Sequence, residues 1–487
     1  MPEPPVANGA IPPEEVPGPG MPIYRIEAPP LRPEEGPLLE SVRSELIREF
    51  GEAEGGPPGP EGLHAAVERI AARRDDLADP GGRARIERLL VREFLGYGPI
   101  DDLIRDPEVE EITLDGVGAP VCIVHRRLGP MATPVMFERE ADLDRFVLRL
   151  AERAGAHLSR FEPFADGRLP NGARLAATFG REVSPRGSSF AVRRFRDRPF
   201  RLPDLVAGRT LSSEMAAYLW IALEEGASTL IVGETGSGKT TTLNALLGLT
   251  PESAKLVTIE DTRELQVDHD HWVPLASRAS LGPRDAQGRR AGEIDLFDLV
   301  RAALRQRPQI LAVGEVRGAE TFTLFQAMAT GQPCLGTFHA GSVAALRRRL
   351  ESPPIGLPRA LLAALPIVAL QRSEWVGGRR VRRIVQVTEI EGLDPVGQEL
   401  LAAPVFTWDA AEDEWRFRGR SVILERAARS RGVAYDALVR EMERRARFLA
   451  ALGGSPELTD AEFRRHLSRY RSDPEAAEAD VGRGPDA

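Results

Sequence analysis

The octapeptide GETGSGKT, residues 233–240, decides the fold expected for this chain. Its three glycines let the backbone curl until successive N–H groups point at one centre, and a following helix adds its positive N-terminal end. The octapeptide comes after the apolar stretch Leu230–Val232 and before a helical pattern. A strand, a glycine-rich loop of this length and a helix together form the P-loop motif. The sequence therefore predicts a loop that binds phosphate groups.

Lysine is rare in this chain, which makes its presence in the loop informative. Lys239 and Lys255 are the only lysines among 64 basic side chains. Lysine is a compact charge on a flexible stem, whereas arginine carries a wide planar fork. We expect Lys239 to reach the outer phosphates of ATP and Thr240 to hold Mg²⁺, with Lys255 on the surface. The residues expected to bind the nucleotide are Gly233, Glu234, Thr235, Gly236, Ser237, Gly238, Lys239, Thr240 and Thr241.

Composition excludes several classes of protein. A net charge of −9 over 487 residues argues against a protein that coats nucleic acid, although a local basic channel stays open as an alternative. Two cysteines cannot build a disulfide framework or a four-thiolate zinc site. The first residues lack the pattern of a secretory signal, and the longest apolar stretch, 360–370, is interrupted by Pro366. We expect a cytoplasmic protein that docks on the inner face of the cell membrane.

Apolar strands alternate with helical patterns from about residue 212, which predicts a mostly parallel sheet with ligands beyond the carboxyl ends of its strands. Four polar residues follow such strands. Glu315 comes directly after four apolar residues and is the candidate for orienting the attacking water. Glu260 is a candidate metal ligand and Glu264 a second catalytic acid. His339 would lie on the same sheet edge, where it could sense the γ-phosphate.

Compositional shifts along the chain predict five segments. We expect a mostly disordered tail rich in Pro, Gly and Glu, an N-terminal α+β domain with leading helices, an α/β domain with added strands, a C-terminal helical segment and a second disordered tail. The stretch 198–213 is expected to be a linker. The expected bounds of the five segments are 1–60, 61–205, 206–420, 421–470 and 471–487.

The order of these motifs resembles that of the type II/type IV secretion ATPases, the motors of secretion systems, type IV pili and the archaellum. GETGSGKTTTLNALL is similar to their Walker A motif, IEDTREL to their Asp box, RQRPQILAVGEVRGAET to their Walker B motif and ATGQPCLGTFHA to their His box. Residues 96–116 and 166–174 also resemble their N-terminal domain. The resemblance implies a RecA-like P-loop NTPase core with a parallel-rich sheet, preceded by an α+β domain and followed by C-terminal helices.

In that family, arginines from the N-terminal domain reach the phosphates. The resemblance implies this role for Arg168, Arg174 and Arg193, whose charge would stabilise the departing phosphoryl group. Arg263 and Arg317 are second-line candidates. This chain departs from the family pattern at Gln309, where many relatives have Asp. The loss of that acid would shift metal binding to Thr240, water and the acids after the preceding strand.

The resemblance implies a hexameric ring that hydrolyses ATP and pushes on a polytopic membrane platform protein, with pilin-like or secreted substrates handled indirectly and no stable nucleic-acid partner. The absence of a cysteine-rich zinc module favours the archaeal or tight-adherence pilus branch. One alternative is a conjugation-type or nucleic-acid-translocating ATPase, which would need a basic, aromatic-lined channel. A second is an ATP-binding switch or scaffold with little turnover.

Overall fold

The computed structural model describes residues 21–25, 32, 35–51, 59–77, 79–195, 198–278, 280, 282, 290–396, 399–453 and 458–482. The chain forms two compact units, residues 1–197 and residues 198–487. The segment 198–213, expected to be a linker, begins the second unit and contains a helix at Leu202–Ala207.

The first unit begins with helices that share a small apolar core of their own. Leu46, Leu63, Ile86 and Leu90 are fully buried there. The first of these helices lies within the segment 1–60, where disorder was expected, and it is amphipathic because Val42 and Leu46 are one helical turn apart. The helices of this unit are α1 (Glu35–Gly51), α2 (Pro60–Ala71), α3 (Pro80–Phe94), α4 (Asp101–Arg105) and α5 (Glu140–Arg153).

A six-stranded antiparallel sheet forms the rest of the first unit, in the order β3-β2-β1-β6-β5-β4. Buried and exposed residues alternate along its strands, because one face packs on α5 and the other does not. Phe146 of α5 contacts Phe190 edge to face at 5.4 Å. The strands are β1 (Val109–Leu114), β2 (Pro120–His125), β3 (Gly129–Met136), β4 (Phe164–Arg168), β5 (Arg174–Thr178) and β6 (Ser189–Arg193).

A nine-stranded sheet organises the second unit, in the order β15-β14-β13-β12-β7-β11-β10-β8-β9. The six strands from β12 to β9 are parallel, and β13 to β15 continue the sheet antiparallel. This arrangement confirms the predicted parallel-rich α/β core. The strands are β7 (Thr229–Gly233), β8 (Leu256–Glu260), β9 (Trp272–Ala276), β10 (Ile310–Val316), β11 (Cys334–His339), β12 (Ile367–Val376), β13 (Arg379–Leu393), β14 (Leu400–Asp409) and β15 (Glu414–Phe417).

Helices cover both faces of this sheet, and two apolar clusters separate them from it. The residues of α7 from Met215 to Leu223 are all buried, partly because the C-terminal helix α14 packs on α7. The last helix, α16, lies in the segment 471–487, where disorder was expected. The helices are α6 (Leu202–Ala207), α7 (Ser213–Glu224), α8 (Lys239–Leu247), α9 (Leu296–Arg305), α10 (Glu320–Ala329), α11 (Val343–Glu351), α12 (Arg359–Leu362), α13 (Val422–Arg431), α14 (Tyr435–Leu452), α15 (Asp460–Ser472) and α16 (Pro474–Gly482).

Candidate nucleotide-binding site

The glycine-rich loop connects the buried strand β7 to helix α8. Gly236 and Gly238 have φ angles of +76° and +96°, a backbone region that side chains other than glycine rarely adopt. At Gly233 a Cβ atom would lie 2.2 Å from the carbonyl oxygen of Gln371. Glycine is therefore required by conformation at two of these positions and by space at the third.

Polar contacts close the loop around the carbonyl group of Glu234. The Lys239 ammonium group donates to this carbonyl at 2.9 Å, and the Ser237 hydroxyl donates to it at 2.8 Å. Burial lowers the pKa of Lys239, while the nearby carboxylates of Glu315 and Glu264 act in the opposite direction and favour its charged form. The lysine thus lies in the loop with two acids close enough to affect its charge.

The first turn of α8 carries Thr240 and Thr241, both half-buried, while Glu234 and Thr235 are exposed at the loop. The first N–H groups of a helix have no partner within the helix and carry a partial positive charge. Together with the curled loop and the lysine, they provide the donors that a chain of phosphate groups requires. The residues present therefore fit a nucleoside triphosphate.

Glu260 ends strand β8 and is 3% exposed. Its Oε1 atom accepts hydrogen bonds from the backbone N–H groups of Glu264 and Leu265, each at 2.8 Å. Its Oε2 atom is buried and has no partner among the described residues. Burial raises the pKa of this carboxyl group. A buried oxygen without a partner is a suitable ligand for a cation or a water molecule, so Glu260 fits the expected metal site.

Glu315 and His339 lie at the carboxyl ends of β10 and β11, and both are exposed. His339 is the register partner of Gly233 on the neighbouring parallel strand, so it flanks the first residue of the loop. Glu315 follows five buried residues of its strand. The sheet thus brings the loop, the histidine and three candidate acids to one edge.

The three candidate catalytic arginines all belong to the first unit, and they form a single row across its sheet. Arg168 on β4 is the register partner of Arg174 on β5, which is in turn the partner of Arg193 on β6. Directly opposed residues in antiparallel strands point to the same face. Arg174 also forms an ion pair with Asp166 at 2.6 Å, while Arg168 donates to the carbonyl of Gly172 at 3.0 Å.

The two second-line arginines have local partners. Arg317 forms an ion pair with Asp261. The guanidinium of Arg263 lies over the ring of Trp272 at 5.7 Å, and its Nε atom is buried without a partner among the described residues. These contacts couple the Asp-box segment to strands β9 and β10.

The position of Gln309 corrects one interpretation of the sequence. Gln309 precedes β10, and its side chain accepts a hydrogen bond from the backbone N–H of Lys255 at 2.7 Å. Glu315 lies near the other end of the same strand, about 20 Å away at the usual rise of a strand. The residue at 309 is therefore remote from the loop, and glutamine there removes no metal ligand.

Sequence reasoning missed two residues at the loop. Gln371 on β12 is 1% exposed and is the register partner of Gly233 on the side opposite His339. Arg382 on β13 donates from Nε to the carbonyl oxygen of Gly236 at 3.1 Å. Gln371 follows the apolar run Ile367–Leu370, the same signal that singled out Glu315. Arg382 carries no comparable signal, because arginine is common throughout the chain.

A family model described as type II/IV secretion system protein matches residues 95–375, more than half of the chain. The chain belongs to this family. The match spans both the six-stranded sheet and the core of the nine-stranded one, including the loop and the strand ends that carry Glu260, Glu315 and His339. It confirms the resemblance identified from the motifs.

The chain is also similar to individual proteins. An uncharacterized protein of Methanocaldococcus jannaschii is 37% identical over 396 residues, which are 80% of this chain and 70% of that protein. The type IV secretion system protein PtlH of Bordetella pertussis is 34% identical over 189 residues, 36% of this chain and 54% of PtlH. The X-ray structure of the Legionella pneumophila ATPase DotB is 18% identical, with a TM-score of 0.42, and the match covers 71% of this chain and 87% of DotB.

None of the helices in the described part of the chain has the length and apolar character needed to cross a bilayer.

Proposed function

We propose that this chain hydrolyses ATP with Mg²⁺ and is the motor subunit of a secretion-type machine, such as a type IV pilus, an archaellum or a secretion system. In this proposal six copies form a ring on the cytoplasmic face of the membrane and act on a polytopic platform protein. Membership of the type II/IV secretion system family supports the class of machine. The arrangement at the sheet edge supports the chemistry.

One observation carries the proposal: Lys239 lies in a glycine-rich loop with the carboxylates of Glu264 and Glu315 near enough to influence its pKa. The lysine and the loop N–H groups bind the phosphates and stabilise the negative charge that develops on them. Glu315 is exposed at its strand end, so it can orient a water molecule and accept its proton. Water then attacks the terminal phosphorus, and ADP leaves with the electrons of the broken bond.

Mg²⁺, when bound, would neutralise charge on the phosphate oxygens, and Thr240 and Glu260 are the residues that would hold it. The buried Oε2 atom of Glu260 would then gain a partner. His339 and Glu264 complete the polar edge around the loop. Arg168, Arg174 and Arg193 are proposed to add positive charge during the departure of the phosphoryl group.

The chain offers a matched pair of lysines for the main test. We expect Lys239→Ala to abolish ATP binding and turnover and Lys255→Ala to retain both, because the partner of the Lys255 ammonium group among the described residues is the carbonyl of Gln306. We expect Glu315→Gln to bind ATP normally and to lose about 100-fold or more in turnover, with exposed Glu252→Gln as its control. Phosphate release and equilibrium binding measure the two effects. Unchanged turnover in Glu315→Gln would instead favour a nucleotide-binding switch.

Ring formation is tested separately by light scattering of the purified chain with and without a non-hydrolysable ATP analogue. We expect a particle of six subunits with the analogue. A strict monomer in both conditions would contradict the ring. Stimulation of turnover by single-stranded DNA would favour a nucleic-acid translocase over the proposed motor.

A further inference from the structure

The phosphate-binding loop has two different flanks. Strands β11, β10 and β8 follow one another on one side of β7 and carry His339, Glu315 and Glu260. Strands β12 and β13 lie on the other side and carry Gln371 and Arg382. The candidate histidine and acids of the sheet edge all belong to the first flank, and the residues of the second have no role in the hydrolysis step described above.

Gln371 lies beneath the loop. Its side-chain carboxamide nitrogen is 2.9 Å from the position that a Cβ atom on Gly238 would occupy, and its backbone carbonyl oxygen is 2.2 Å from the corresponding position on Gly233. The side chain is 1% exposed, and its Oε1 atom has no partner within the part of the chain that the structure describes. A buried amide with an unsatisfied oxygen is unfavourable unless a ligand or water completes it. Gln371 therefore supports the loop from below in a site whose polar contacts are incomplete.

Arg382 crosses the same loop on its exposed side. Its Nε atom donates to the carbonyl of Gly236 at 3.1 Å, and its Cδ atom lies 3.3 Å from the Cβ position of Gly238. No carboxylate of the described residues lies within 4 Å of its guanidinium group. The next residue, Arg383, is different: it is buried and holds Asp413 through two hydrogen bonds, at 2.8 and 2.9 Å.

An arginine fork without an acidic partner is well suited to phosphate, since its parallel N–H groups match two phosphate oxygens. The loop segment that Arg382 crosses, Gly236–Gly238, supplies N–H groups of the kind that bind the α- and β-phosphates in this motif. We propose that Arg382 binds the diphosphate part of the nucleotide from the same chain, with Gln371 positioning the loop beneath it. This inference rests on the proposed function, because it requires the loop to hold a nucleotide.

Binding of ADP, measured by calorimetry, tests this role without turnover. We expect Arg382→Ala to weaken ADP binding about tenfold and to weaken competition by inorganic pyrophosphate by the same factor. Arg380→Ala is the control, because Arg380 lies on the same strand and bonds to the hydroxyl of Ser373 instead. If pyrophosphate competes equally well with the variant and the parent, Arg382 does not contact phosphate and the proposal is wrong.

A second variant separates binding from support of the loop. Glutamine at 382 can still donate a hydrogen bond to the Gly236 carbonyl but carries no charge. We expect Arg382→Gln to bind ADP as weakly as Arg382→Ala; parental affinity in this variant would reduce Arg382 to a structural contact. If the parent itself does not bind ADP, the proposed function fails. If the parent binds ADP and Arg382→Ala equals Arg380→Ala, only the role of Arg382 fails.

Discussion

Glu260 and Gly314 are in direct contact across neighbouring strands: the Cγ atom of Glu260 lies 2.9 Å from the position that a Cβ atom on Gly314 would occupy. The residue before Glu315 therefore has to be glycine if the buried carboxylate of Glu260 is to keep its place. We expect Gly314→Ala to displace Glu260 and lower ATP turnover about 10- to 100-fold, since small displacements in a reactive site have effects of this size. Magnesium titration of turnover should show a raised requirement for the metal.

Gly36→Ala is the control for this substitution. Gly36 lies in α1, and no described residue lies within 4 Å of its Cβ position apart from its chain neighbours and the backbone of its own helix. Alanine is also the better helix former, so this variant should equal or exceed the parent in stability. A Gly314→Ala enzyme with parental turnover and magnesium dependence would show that Glu260 is not a metal ligand.

The row of arginines on β4, β5 and β6 predicts an effect on turnover. Arg193→Ala should lower the turnover number about 100-fold, if its charge stabilises the departing phosphoryl group. Arg181→Ala is the control, because Arg181 is exposed in the same unit and pairs with Glu140. Steady-state kinetics at saturating ATP measure the difference. Equal turnover in both variants would remove Arg193 from the catalytic group.

The two cysteines should differ in reactivity. Cys334 begins β11 and is fully buried, and burial raises the pKa of its thiol to about 12. Only the thiolate reacts readily, so Cys334 should resist a disulfide reagent at pH 8 until the chain unfolds. Cys122 is half-buried and should react slowly in the native state. Labelling of Cys122→Ala isolates Cys334; rapid reaction of that variant before denaturation would contradict its burial.

Stability should fall in acid through the pair of Asp413 and Arg383. The Arg383 guanidinium beside Asp413 holds the pKa of that carboxyl at about 2, below its ordinary 3.8. The charged form is therefore favoured by folding, so its contribution, on the order of 2 kcal/mol, is fully present above about pH 4 and disappears as the pH falls through 2. Urea unfolding of the parent between pH 5 and pH 2 should show this loss.

Asp413→Asn provides the comparison, because asparagine keeps the shape and removes the charge. The variant should be less stable than the parent at pH 5, since Arg383 is buried and would lose its partner. The difference should shrink toward pH 2, where the aspartate is also neutral. A difference that stays constant over this range would assign the effect to packing and not to charge.

The strands and helices of the α/β core were predictable because runs of apolar residues and the glycines that bound them are strong signals of secondary structure. The strands ending at Gly233, Glu260 and Val316 occur where the patterns placed them, and helix α14 (Tyr435–Leu452) lies within the predicted stretch 433–452. Strands β3, β4 and β5 were missed: β4 and β5 have only five residues each, and all three contain prolines, glycines or charged residues. Helix α1 was missed because it lies among prolines and glycines. Its residues Val42 and Leu46 are buried in the apolar core that it shares with α2 and α3.

At the candidate site, whether a residue could be identified from the sequence depended on the chemical type of its side chain. Lys239 and the acids could be identified because each interrupts a pattern: a lone lysine in a glycine-rich loop, or a carboxylate after a buried strand. Arg382 could not be identified from the sequence, because it reaches Gly236 only through the pairing of β12 with β13 far along the chain. A contact that depends on the order of the strands in a sheet produces no local pattern in the sequence.

The arginine row on β4, β5 and β6 has a consequence for the folding of its sheet. Like charges directly opposed on neighbouring strands repel, and the ion pair of Arg174 with Asp166 offsets part of that repulsion. An anion bound among the three guanidinium groups would relieve this repulsion and would bind only the folded sheet, so polyphosphate should raise the melting temperature of the chain increasingly with its concentration. The first unit would then be most stable when a phosphate-containing anion is bound to the arginine row.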